Sequence, residues 1–174
     1  MTDMTEKRRV IVTENGPTGK STVLEDKQIE LSGAGVFNFW QTFPDRSPDD
    51  VTGRGAPSFT FFPDAGGTQF RLFTIPAADP AVTPEQIKDM ADGFFKFIGW
   101  PGARRDTSRH PFMHVTPTVD YILLLSGEIS LVLDEGDPIP LKPFDAVVQR
   151  GTNHSWLNTG KTTALLMAVM VGQK

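Results

Sequence analysis

Three histidines occur in this chain, at positions 110, 114 and 154, all in its C-terminal part. Histidine changes charge nearest neutral pH, and its neutral ring is also a common metal ligand. His114 and Thr116 lie two apart in a β-rich stretch, which places them on one face about 7 Å apart. Asp120 follows Pro117 and Thr118, a tight turn expected to bring it back beside His114. His154 comes from a distant hairpin. In a closed barrel these side chains converge from several strands. Two imidazoles and one carboxylate match the sites that hold non-haem iron with open positions for substrate or oxygen. Without a metal, the same residues form an acid/base set, with His114 or His154 moving a proton and Asp120 orienting it. The plainer alternative is a pair of hydrogen-bonded core histidines, with Asp120 capping the turn. The apolar run after Asp120 favours a buried partner for it.

Around these residues stand others with polar or aromatic reach. His110 precedes Pro111 in a loop and reads as a rim or surface histidine. Phe112 and Trp156 line the cavity or fill the core. Gln149 is polar within an apolar strand and is expected to face the pocket. Arg71, within QFRLF, has two readings: a grip on a substrate carboxylate, or a solvated strand face, the latter preferred. The segment GPTGKS at 16–21 imitates a phosphate loop. Position 14, where that loop needs its first glycine, is Glu14, and no helix start follows, so the segment reads as a hairpin turn.

The elements that must position these side chains are mostly strands. Residues 9–13 (RVIVT), 21–25 (STVLE) and 36–40 (VFNFW) are short β segments, and TQFRLFTI at 68–75 is a strong one. Residues 44–57 are rich in Asp, Gly and Pro and read as a loop. One helix is announced by Thr83, Pro84 and Gln86, an N-cap with a capping box. Ile87, Met90, Phe94 and Ile98 follow at helical spacing, so this helix is expected to lay an apolar face on the outside of a sheet. From Phe112 onward closely spaced strands and short turns argue for a sandwich or jelly roll.

Two segments carry a resemblance to a known family. HVTPTVDYILLLSGE resembles the first cupin motif, in which a His-x-His pair precedes Glu, six residues and Gly; Asp120 and Gly127 fit its end. PFDAVVQRGTNHSWLN resembles the second motif through Asp145, Gly151, His154 and Asn158. The combination is similar to a group of small bacterial and fungal cupins, some of them from polyketide gene clusters and labelled oxidoreductases. The resemblance implies an all-β cupin jelly-roll barrel at 106–174, with an N-terminal strand extension and one covering α-helix at 1–105 packed on it. It implies a metal site at His114 and His154, with Asp120 as third ligand, holding iron, manganese, zinc or nickel, and no organic cofactor. Thr116, Gln149, Trp156 and His110 would line the pocket. Oxygenation, decarboxylation and isomerisation of a small organic molecule are all compatible, as is a non-catalytic ligand-binding barrel without metal. The chain departs from the motifs at Thr116, where the second histidine would stand, at Asp120 for Glu, at Phe144 for Gly, and at Gln149 and Arg150 for the proline-containing pair.

Composition narrows the partners. With 174 residues the chain is expected to be one domain. A net charge of −4, with no basic stripe, argues against nucleic acid. No cysteine is present, so disulfides and thiolate sites are excluded. No apolar run reaches a membrane span, and the charged first nine residues do not resemble a signal peptide. The expectation is a cytoplasmic homodimer, paired through its N-terminal strands and the aromatic VFNFW segment, that takes a small-molecule ligand.

Overall fold

In the computed structural model, residues 7–30, 35–44 and 60–174 are described. Ten strands and one α-helix follow in order. β1 (Arg8–Asn15) and β2 (Ser21–Ile29) form a two-stranded hairpin. The GPTGKS segment is its turn, as expected: Gly19 N–H donates to the Gly16 carbonyl. β3 (Val36–Thr42) and β4 (Thr68–Ile75) join β10 (Ala164–Gly172), β5 (Thr118–Ser126) and β8 (Ala146–Gln149) in a five-stranded sheet of order β3-β4-β10-β5-β8. A second sheet has the order β7-β6-β9, from β6 (Ile129–Leu133), β7 (Ile139–Leu141) and β9 (His154–Leu157). The expected loop at 44–57 lies, Pro44 apart, outside the described residues.

This is the all-β jelly-roll barrel. Strands from both sides of the boundary expected at residue 105 share its larger sheet. β3 and β4 hydrogen-bond into the same sheet as β5, β8 and β10. Alternation explains why. Along β10, Ala164, Leu166, Ala168 and Met170 point inward and meet Ile122, Leu124 and Ile129, with Trp156 and Phe73 packed against them. The outer face of the same sheet carries Phe37, Phe39, Leu72 and Leu165, covered in part by Val10 and Ile29 of the hairpin.

The helix α1 (Pro84–Phe97) starts as its cap predicts, with Gln86 N–H on Thr83 Oγ1 at 3.3 Å and Thr83 N–H on Gln86 Oε1 at 2.8 Å. Its buried side is rotated from the expected one. Ala91 and Phe95 are buried, while Met90 is 60 % exposed. The small side chain of Ala91 lets the helix approach closely, and Phe95 fills the space beyond it. Arg104 fixes this placement through an ion pair with Asp92 and a cation stacked 5.5 Å from the Phe95 ring. Rather than lying on the outside of a sheet, this face meets the residues around His114.

Two turn positions bear on the site. Gly151 has φ +65°, and a Cβ there would meet the Thr116 carbonyl at 3.0 Å, so a side chain would be both strained and crowded. Phe144, which stands where the motif has glycine, adopts φ +74° and leaves its ring 75 % exposed. The left-handed turn is kept although its usual residue is not.

Candidate functional site

His114 and His154 face each other. Their backbones form an antiparallel bridge, His114 N–H to the His154 carbonyl at 2.9 Å and the reverse at 3.0 Å. Directly opposed residues project to one side, and the two imidazole centroids lie 4.4 Å apart. Both rings have their Nδ1 engaged by a backbone carbonyl, that of Phe112 at 2.8 Å for His114 and that of Thr152 at 3.0 Å for His154. A carbonyl can only accept, so Nδ1 carries the proton in both. Each neutral ring therefore keeps an unprotonated Nε2 with its lone pair. Burial lowers the pKa of His114; burial, then the neighbouring His114, pushes that of His154 down to about 3. Both rings are neutral at physiological pH.

Gln149 sits behind His154. Its side-chain amide donates to the Thr152 carbonyl at 3.0 Å and to the Thr152 hydroxyl, holding the turn that orients the His154 ring. His110 has the opposite tautomer. Its Nδ1 accepts from Phe112 N–H at 3.2 Å and from the Ser155 hydroxyl at 2.9 Å, so its proton is on Nε2. Half-buried at the rim, it is held by hydrogen bonds that buttress the Phe112 backbone. Trp156 stacks edge-on against His154 at 5.8 Å. Phe61, Phe95 and His154 lie around His114, the first two at 6.4 and 5.5 Å between centroids.

Asp120 is placed differently from expectation. The chain does not fold back at Pro117 and Thr118. It crosses from the His154 bridge into β5, so the register partners of Asp120 are Gln149 and Met170. Its Oδ2 accepts from the Thr116 hydroxyl at 3.4 Å, not from a histidine. Burial raises its pKa, opposed by the nearby Thr118 and Thr116 hydroxyls and the charge of Arg71. Among the described residues, no three His, Cys, Asp or Glu side chains gather closely enough to hold a metal ion. The donor set at the pair is two imidazoles, and among the described residues no third protein ligand joins them.

Arg71 corrects a reading of the strand. It does not face solvent: it is 3 % exposed. Its guanidinium donates to the Phe61 carbonyl at 2.7 Å, to the Thr60 carbonyl at 3.2 Å and to Gln69 Oε1. Burial lowers its pKa to about 10, against the charge of Asp120. Through those bonds Arg71 anchors Phe61, whose ring covers His114. Phe61 and Thr152 escaped the sequence reading because one stands in a stretch without periodicity and the other acts through its backbone. Asn158, a motif residue, is structural: its amide ties the Ile75 and Thr162 carbonyls at 2.8 and 2.9 Å.

No family model matches the chain. Among solved structures it resembles an RmlC-like cupin from Methanocaldococcus jannaschii with 12 % identity, covering 63 % of this chain and 74 % of that one at a TM-score of 0.40. It also resembles the Cnp3 cupin domain of Schizosaccharomyces pombe, with 12 % identity over 97 % and 90 % of the two chains at 0.45. Among sequences, phomopsin biosynthesis cluster protein C' of Diaporthe leptostromiformis is 54 % identical over 143 residues, 76 % of this chain and 68 % of that protein. A cupin-domain-containing oxidoreductase of Neurospora crassa is 38 % identical over 52 residues, 29 % of this chain and 26 % of that protein. No helix among the described residues is long and apolar enough to cross a membrane. With the jelly-roll fold, both motif histidines opposed inside it and one relative that extends over most of its length, the chain belongs to the cupin family.

Proposed function

We propose that the barrel interior binds a small organic molecule and that the His114–His154 pair moves a proton on it, as in isomerase or lyase chemistry. One observation carries this reading: two neutral imidazoles side by side, each with Nδ1 pinned to a carbonyl and Nε2 left as a base. A C–H bond next to a substrate carbonyl would yield its proton to an Nε2 while the electron pair moves onto the carbonyl oxygen. Positioned general bases of this kind contribute about 10²–10⁴-fold in rate. The names of the relatives support a small-molecule role, since they belong to fungal biosynthesis clusters or are called oxidoreductases.

The test is deuterium exchange into a panel of small ketones in D2O, followed by proton NMR. Exchange is expected to accelerate over buffer, and His114→Gln and His154→Gln are each expected to remove about a hundredfold of that acceleration. No acceleration for any ketone would sink the reading. A non-catalytic ligand barrel is the second reading, favoured by the depressed pKa of His154, which makes it a weak base. It predicts binding of a panel member without exchange. Elemental analysis of the purified protein checks the metal question separately: the two-imidazole set predicts well below one equivalent of divalent metal. For assembly we take the chain to pair with a second copy through the edge strand β3 and the β1–β2 hairpin, to be checked by light scattering.

A further inference from the structure

Besides Asn38 Oδ1, whose strand partner is Arg71, three buried polar atoms of the five-stranded sheet have no hydrogen-bond partner among the described residues: Arg71 Nε, Thr118 Oγ1 and Asp120 Oδ1. Their residues are 3 %, 1 % and 4 % exposed. They belong to one neighbourhood. Thr118 and Asp120 are two apart on β5 and share its inner face. Arg71 stands on β4, with β10 between; its partner there is Ala168, which pairs with Ile122, and Asp120 lies two residues further along β5, beside Met170. The charges of Arg71 and Asp120 act on each other, yet no carboxylate lies within ion-pair distance of Arg71 among the described residues. Orphaned buried polar atoms are rare in native proteins, each costing roughly 1–3 kcal/mol, and three together point to a missing occupant.

We propose that these atoms recognise the substrate's headgroup, a carbonyl oxygen beside a hydroxyl on an uncharged molecule. The carbonyl accepts from Arg71 Nε–H, the hydroxyl donates to Asp120 Oδ1, and Thr118 takes either role. The chemistry selects this class. Arg71 has committed its Nη atoms to Phe61, Thr60 and Gln69, so it cannot grip a carboxylate with two parallel bonds. The cation and the carboxylate together are neutral, so an anionic headgroup would add an unbalanced buried charge. The inference rests on the interior being a small-molecule site. It adds an orientation: Thr116, bonded to Asp120, follows His114 by two residues, so the Asp120 end of the headgroup is the one turned toward the histidine pair.

Hydroxyacetone is the probe, with acetone and propan-2-ol as single-function controls, and binding is read by saturation-transfer NMR. Hydroxyacetone should bind about tenfold tighter than either control, as one extra satisfied buried hydrogen bond implies. Asp120→Asn should weaken it about tenfold and the isosteric Thr118→Val about threefold. Thr118→Val keeps the test open if Asp120→Asn fails to fold. Equal binding of all three probes, no binding of hydroxyacetone, or affinity unchanged in both variants would overturn the proposal, leaving ordered water as the occupant. The imidazole Cε1–H resonances separate this from the reading beneath it. If hydroxyacetone binding depends on Asp120 but does not shift them, the anchor stands and the histidine role falls. If they shift while Asp120→Asn and Thr118→Val change nothing, the reverse holds.

Discussion

The barrel interior has two polar regions that solve burial in opposite ways. At the His114–His154 pair every Nδ1 is satisfied by a backbone carbonyl, and the rings stay neutral. At the Arg71–Asp120 region the groups are ionisable, lack direct contact and leave atoms unsatisfied. The first region needs nothing to be stable. The second is stable only because Thr60, Phe61 and Gln69 take up most of the guanidinium. Satisfied groups are set in place before a ligand arrives; unsatisfied ones supply the affinity that brings it there.

The comparison breaks most sharply at Arg71. Arg71→Leu leaves Asp120 without its cation and the Phe61 carbonyl and Gln69 Oε1 without their donor. Each buried acceptor left without its donor costs about 1–3 kcal/mol. Urea denaturation is expected to show a loss of this size. Because Arg71 holds Phe61 against His114, the His114 imidazole resonances should move as well. A loss below about 1 kcal/mol would mean that Arg71 contributes little to the fold.

Acid tests the other region. The folded pKa values of both histidines lie below the unfolded value of 6.5, through burial first. Below pH 6.5 the unfolded chain takes up protons that the fold refuses. The stability present above that pH is therefore lost as pH falls, toward about pH 3 for His154. The slope is about 1.4 kcal/mol per pH unit for each histidine that remains neutral in the fold. Asp120 has the opposite sign: its raised pKa lends stability at low pH and withdraws it as pH rises through the folded value. Burial lowers the pKa of His110 as well, so denaturation between pH 6.5 and 5 reads all three histidines, and His154→Gln should make the slope shallower. An unchanged slope would show that His154 is not held neutral.

Much of this was legible in residue order. The strand at 68–75, the capping box at Thr83 and both motif histidines carry local signals, and the structure keeps each. What was not legible depended on partners far along the chain. Arg71 alternates like a solvent-facing residue, and only the carbonyls at 60 and 61 make it an interior one. The turn at Pro117 and Thr118 reads as a reversal, but pairing of His114 with His154 takes the chain to the other sheet first. Helical spacing favoured the bulk of Met90, whereas packing chose the small Ala91. Phe144 gives no local hint of a left-handed turn.

The smallest effect is expected at the residue joining the two regions. Thr116 replaces the second histidine of the motif and donates a long bond of 3.4 Å to Asp120. Thr116→Val preserves shape and removes only that bond. A neutral hydrogen bond is worth about 0.5–1.5 kcal/mol net, so stability should fall by about 1 kcal/mol at most. The hydroxyl lowers the pKa of Asp120, so its loss should raise that pKa further, which carboxyl carbon NMR can follow. The two histidines, whose protons are held by Phe112 and Thr152 rather than by Thr116, should keep their titration. If the histidine resonances titrate differently in Thr116→Val, the two regions are one coupled network, and the division between a proton-moving end and a gripping end is wrong.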